Sequence, residues 1–208
     1  TKKMAFPYLD WFQLIHCMAS YYESKNQKAF VCFFKSGIDM IPSNDPSSQV
    51  LKEGLLKYPL EEKVLQNNHT LLQWSYQFYN YFNRQMFGRE IGYNDFIKIY
   101  NRDNIKLSFW SHPCWKMIHY YPSIYNGREE QALSYKAFMS CLQFLVPCPK
   151  CRDHLKTNLS DHPIDQYFSS ASDLFTWSYI LHQLVSSQLG KKGISLSEAR
   201  ILYGLESL

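Results

Sequence analysis

Leu174-Phe175-Thr176-Trp177-Ser178-Tyr179 is the stretch on which the fold turns, because Leu71-Leu72-Gln73-Trp74-Ser75-Tyr76 precedes it by 103 residues in the same pattern. Both runs read as helix, and neither alternates as a strand would. Other landmarks recur at the same distance. Phe12-x-x-x-His16 returns as Trp115-x-x-x-His119, and Phe87-Gly88-Arg89 returns one residue early as Leu189-Gly190-Lys191. Three landmarks in one order mark an internal repeat, each copy long enough for four or five helices. The expected fold is all-α: one helical bundle over residues 1–100, a linker over 101–109, and a second bundle over 110–208.

The rest of the chain agrees. Leu9, Phe12, Ile15 and His16 fall at helical spacing, and so do Trp115, Ile118 and His119, with Pro122 expected to end that later helix. Helices are predicted over about 28–40, 69–86, 129–146, 149–159 and 173–189. Ser195-Leu196-Ser197-Glu198 fits a capping box that opens a short last helix. With 46% hydrophobic and 17% aromatic residues, 208 residues supply ample core. No apolar run reaches the roughly 18 residues that span a bilayer. The best, Phe138 to Val146, is broken by Ser140 and Gln143. A net charge of +4 without a Lys/Arg block gives no electrostatic case for nucleic acid. A soluble chain with no membrane segment is expected.

The two copies differ where chemistry would sit. Pro147-Cys148-Pro149-Lys150-Cys151 falls on Asn44-Asp45-Pro46-Ser47-Ser48, so the first copy has no cysteine pair. His182 falls opposite Tyr79. The first copy reads as degenerate. Of six cysteines, Cys17, Cys32, Cys114 and Cys141 are scattered, too sparse for a stapled scaffold, and read as structural. A Cys-x-x-Cys at a helix N-terminus suits redox work: the sulfurs can close a small ring, and the helix end favours a thiolate. Lys150 adds positive charge, and Pro149 suits a first helical turn. Two other readings stay open: half of a zinc site completed by His154 and His162, or incidental cysteines. Trp115 and His119 share a helix face, and Trp177 and His182 lie five apart. Each alone reads as core packing. Together with the cysteine pair, the two faces could sandwich a flat cofactor.

Residues 110–205 resemble the Erv/ALR sulfhydryl oxidases. Trp115-Lys116-Met117-Ile118-His119 with Tyr121-Pro122 resembles the family's W-x-x-L-H…Y-P helix. Val146-Pro147-Cys148-Pro149-Lys150-Cys151 resembles its Y-P-C-x-x-C. Trp177-x-x-x-x-His182-Gln183-x-Val185-Ser186-x-x-Leu189-Gly190-Lys191 resembles its W-x-x-x-x-H-N-x-V-N-x-x-L-G-K. The resemblance implies a four-helix bundle with a short fifth helix, holding FAD without a covalent bond and with no metal. It implies that Cys151 lies against the isoalloxazine and that Cys148 is the outer sulfur met by an incoming thiolate. Trp115, His119, Tyr121, Trp177, His182 and Ser186 would line the flavin or adenine, and Lys191 would face phosphate.

Gln183 and Ser186 replace the family's Asn pair, no cysteine follows Cys151, and the chain shows no separate shuttle cysteines. A protein dithiol or a thiol oxidoreductase is the implied partner, with O2 as acceptor and peroxide released. The layout is similar to quiescin-type oxidases and to those of large insect DNA viruses. It implies an internal pseudo-dimer with residues 1–100 as inert partner, and leaves room for a homodimer built on it. The viral likeness points to infected-cell cytoplasm, nucleus or virion, but the residues themselves name no compartment. The rival functions are a zinc-binding interaction module and a catalytically idle helical scaffold.

Overall fold

The computed structural model describes residues 4–205, and among them there is no strand. The first half holds α1 (Tyr8–Ser20), α2 (Gln27–Asp39), α3 (Pro46–Lys57), α4 (Asn68–Phe87) and α5 (Tyr93–Tyr100). The second holds α6 (Ser111–Ser123), α7 (Glu129–Leu145), α8 (Pro149–Asp161), α9 (Ala171–Gln188) and α10 (Leu196–Leu202). The helix ends have local causes. Asn67 and Thr70 form a capping box at α4, which stops at Gly88 in the left-handed region at φ 65°. Ser195 and Glu198 form the capping box of α10, as their spacing predicts.

Two helices were not among those expected. α3 starts where the Asp45 side chain accepts the Ser47 N–H, but Leu51 is its one large buried apolar residue. α5 buries Phe96 alone. Both lie outside the spans that the periodicity predicts, although α5 carries Tyr93, Phe96, Ile97 and Tyr100 at helical spacing and α3 packs Val50 and Leu55 beside Leu51. Pro122 lies in the last turn of α6, which ends one residue later at Ser123, as its position predicts. A proline removes the N–H that would bond the carbonyl four residues back. That carbonyl, on Ile118, accepts the Tyr135 hydroxyl at 2.8 Å instead.

Packing within each half follows one scheme. α1 lies on α4 and α3 on α4; in the second half, α6 lies on α9 and α8 on α9. Between the halves like meets like, α1 against α6 and α2 against α7. The apolar core is continuous across this seam, from Phe6 to Leu181. Phe33 of α2 stacks on Trp11 at 5.6 Å and on Phe138 of α7 at 4.6 Å. Gly37 makes the approach of α2 feasible, since a Cβ there would sit 2.2 Å from the Trp11 ring.

The repeat extends to individual hydrogen bonds. His16 Nδ1 meets Ser75 Oγ at 3.0 Å, and His119 Nδ1 meets Ser178 Oγ at 2.9 Å. Tyr76 donates to the Ile91 carbonyl at 3.0 Å, and Tyr179 to that of Ile194 at 2.9 Å. No helix among the described residues is long and apolar enough to cross a membrane.

Candidate functional site

The cysteine pair is built by a break between two helices. α7 ends at Leu145, and Cys148 caps α8 with extended backbone, while Pro149 occupies the first turn. Cys148 and Cys151 form a disulfide with Cα atoms 5.1 Å apart. The Cys151 N–H donates to Cys148 Sγ at 3.2 Å, so the sulfur takes one of the amides that a helix start leaves unpaired. Both cysteines are half-buried, and Cys151 packs against the core. Arg152 holds the preceding strap: its Nε donates to the Val146 carbonyl at 2.7 Å. Its guanidinium also reaches Glu23 of the first half at 3.6 Å. Asn26 donates to the Phe144 carbonyl at 3.0 Å. The first half thus touches both flanks of the redox segment. His154 and His162 do not join the cysteines, and among the described residues no three His, Cys, Asp or Glu converge to hold a metal ion.

A cavity of about 370 Å³ opens between α6, α9 and α10. Trp115, His119, His182, Ser186 and Lys191 line it, so five of the sequence-derived residues converge there. The Trp115 and His182 rings lie parallel, 4° apart in plane, with centroids 3.9 Å apart. A hydrogen-bond chain fixes the imidazoles. Ser178 Oγ gives its proton to the Phe175 carbonyl at 2.8 Å, so it accepts from His119 Nδ1. His119 Nε2 is then a lone pair, and it accepts from His182 Nδ1 at 2.8 Å. This leaves His182 Nε2 as an acceptor. Burial pushes His119 down to about 3, helped by His182 and Lys116. Burial, then Lys191, brings His182 to about 4. Both rings are therefore neutral near neutral pH.

The remaining residues lie elsewhere. Trp177 is buried, with its Nε1 donating to the His162 carbonyl at 2.9 Å and its ring edge-on to Tyr135. It walls a separate hollow of about 170 Å³ beside α7 and α8. Tyr121 is fully buried in the seam between the halves, 5.0 Å from Phe138. Neither it nor either cysteine lines the large cavity. Sequence reading missed Lys116, Tyr179, Gly193, Ala199 and Tyr203 as lining residues. The repeat could have flagged Tyr203, which stands opposite Tyr100, and Ala199, which stands opposite Phe96.

The lining suits one part of a dinucleotide. The Trp115–His182 stack offers aromatic surface to a flat heterocycle, His182 Nε2 and Gln183 offer directional hydrogen bonds, and Lys116, Lys191 and Lys192 offer positive charge to anionic groups. Gly193 allows the loop to close on Gln183, since a Cβ would lie 2.0 Å from its Oε1.

Comparison with known proteins points the same way. Residues 112–203 match the family model described as the Erv1 / Alr family. A probable FAD-linked sulfhydryl oxidase of Acanthamoeba polyphaga mimivirus is 33% identical over 75 residues, 36% of this chain and 52% of that protein. FAD-linked sulfhydryl oxidases from African swine fever virus isolates are 28% identical over 96 residues, 45% of this chain and 79% of theirs. The match thus spans about half the length of the mimivirus protein. No solved structure matches the chain.

Proposed function

Residues 112–203 carry an Erv1 / Alr family domain, and from that premise we propose that the chain is a FAD-dependent thiol oxidase that makes disulfides in protein substrates. The observation that carries the reading is the Cys148–Cys151 disulfide on a helix N-terminus, in a domain that also builds the aromatic and cationic cavity.

The chemistry starts at Cys148. A substrate thiolate attacks its sulfur, and Cys151 leaves as a thiolate. A second substrate thiol then attacks the substrate sulfur of this mixed disulfide and expels Cys148. The substrate gains a disulfide, and the pair becomes a dithiol that has taken up two electrons. The helix N-terminus and the Cys151 amide stabilise negative charge on Cys148, which makes it a good leaving group. Cys151, packed on the core, would be the sulfur that passes electrons inward, and its packing supports that role. FAD, when bound, would supply the two-electron acceptor chemistry that links this dithiol to O2 and hydrogen peroxide. Trp115 and His182 would pack on a ring, His182 Nε2 and Ser186 would hold its polar edge, His119 would line the site and orient His182, and Lys191 would face phosphate. Tyr121 and Trp177 support this wall from the core side.

In this reading the first half is an inert partner, and the chain is an internal pseudo-dimer. The like-with-like contacts of α1 with α6 and α2 with α7 support it. So does the capping of α3 by Asp45 where α8 has Cys148. The test is the visible spectrum of the purified protein with dithiothreitol in air. A flavin band near roughly 450 nm should bleach and recover. Cys148→Ala and Cys151→Ala should keep the band and lose turnover. A colourless protein, or full thiol oxidation by Cys151→Ala, overturns the reading.

A further inference from the structure

Four cysteines stand outside the Cys148–Cys151 disulfide. Cys17 and Cys114 are sealed in the core, and burial pushes each thiol up to about 12. Cys32 and Cys141 differ. Cys32 is exposed on α2, and Cys141 stands on α7 at 8% exposure. These two helices pack on each other more extensively than any other pair. Their register is fixed next to the thiols by the stack of Phe33 on Phe138, with ring centroids 4.6 Å apart. Phe33 follows Cys32 directly, and Cys141 lies one helical turn beyond Phe138 on the same face. Just past Cys141 the seam opens as a groove of about 420 Å³, walled by Lys28, Ala29 and Phe144. Ala29 shares the face of Cys32. The thiols are close enough that the Cys32 side chain, after burial, helps keep Cys141 protonated.

We propose that Cys32 and Cys141 are a second disulfide-forming pair, which ties α2 of the first half to α7 of the second when oxidised. The oxidant is the Cys148–Cys151 disulfide of a second copy, so this step rests on the function proposed above. The exposed Cys32 attacks Cys148 of that copy as a thiolate, and the copy's Cys151 leaves as a thiolate. Cys141 then gives up its proton and attacks Cys32 in the mixed disulfide, expelling Cys148. One disulfide forms and one is reduced, with two electrons and two protons moving to the second copy. The exposure of Cys32 gives the second copy its access, and Cys141 lines the groove beside it.

A bond between these positions closes a loop of about a hundred residues, which should raise the melting temperature by about 10 °C. The test uses the full, FAD-loaded chain. Reduced Cys148→Ala/Cys151→Ala protein is the substrate. It is exposed to a catalytic amount of wild type in air, or separately to diamide. Thiol titration and non-reducing peptide mapping are the readouts, and dithiothreitol oxidation by wild type is the control. The expected result is loss of two of the four free thiols and a Cys32–Cys141 linked peptide with both oxidants. The melting rise should appear with it and vanish in Cys32→Ser, whose dithiothreitol turnover stays unchanged. Four thiols surviving both oxidants overturns the pairing, even with the control active. A link formed by diamide alone supports the pairing and overturns the exchange step. A failed control strikes the proposed function instead, and the diamide arm still decides the pair.

Discussion

Acidification from about pH 7.5 to about pH 5 should cost the fold on the order of 4 kcal/mol through two histidines. His16 and His119 are buried, and burial holds each down to about 3 from an ordinary 6.5. Both stay neutral in the native state across this range. An unfolded histidine takes up a proton below about pH 6.5, so the unfolded state binds more protons. Stability therefore rises with pH between about 3 and 6.5, and is lost as pH falls through that window. At pH 5 each site has lost about 1.5 pH units of linkage at roughly 1.36 kcal/mol per unit, or about 2 kcal/mol. His182, brought to about 4 but part-exposed, adds less. The lowered carboxyls of Glu23, Asp173 and Glu198 matter only at more acid pH, below their ordinary 3.8 to 4.5. Against a typical total of about 5–15 kcal/mol this loss is large. Urea denaturation of the flavin-free protein at both pH values measures it. His16→Gln, which can still bond Ser75, should remove about half of the pH dependence. An unchanged urea midpoint between the two pH values, or a full slope in His16→Gln, would refute the burial argument.

Two further outcomes follow from the seam and the strap. Phe138→Ala removes a fully buried ring that packs on Phe33, Tyr121 and Tyr135. It should cost about 3–5 kcal/mol and lower the melting temperature by about 10 °C in one transition. Two separate calorimetric transitions would mean that the halves do not share one cooperative core. Arg152→Ala frees the Val146 carbonyl and the contact with Glu23. Stability should drop by about 1–2 kcal/mol, and kcat/KM for a dithiol should fall several-fold with flavin content unchanged. Wild-type kinetics would remove Arg152 as the holder of the strap.

How much of this was legible depends on where each signal lives. Most helices with an apolar stripe were readable, as were the cap at Ser195 and the first-turn Pro149, because those signals are local. α3 and α5 were not, since each is short and fully buries a single large apolar side chain, so the stripe of α5 (Tyr93, Phe96, Ile97, Tyr100) spans only two turns. Pro122 marks the end of α6 to within one residue, but the bond from Tyr135 to the Ile118 carbonyl it leaves open comes from another helix and has no local signal. Trp115, His119 and His182 were found together because two helices carry them at fixed spacing. Tyr121 and Trp177 sit on equally apolar faces, and no spacing says whether such a face looks into a cavity or into the other half. The pairing of Cys32 with Cys141 was hidden for the same reason: it depends on the register of α2 against α7, which only packing sets.

The contrast between the halves locates function in volume rather than in backbone. His16 keeps the bond to Ser75 that His119 makes to Ser178, so this pair survives as a packing anchor without a site around it. Around His16 the space is filled: Tyr79, Phe96 and Tyr100 lie 5.3, 4.7 and 4.7 Å from its ring. Its Nε2 is left without a partner, at a cost of about 1–3 kcal/mol. At the same offset the second half has His182 for Tyr79, Ala199 for Phe96 and Tyr203 for Tyr100. His182 satisfies the equivalent nitrogen, and Ala199 vacates the volume of a phenyl ring. His182 for Tyr79 and Ala199 for Phe96 are therefore two of the substitutions that separate a plugged core from the 370 Å³ cavity, beside Trp115 for Phe12 and Ser186 for Asn83. Close packing of interiors makes that difference decisive, because a filled hollow of this kind admits no heterocycle without unfolding its lining.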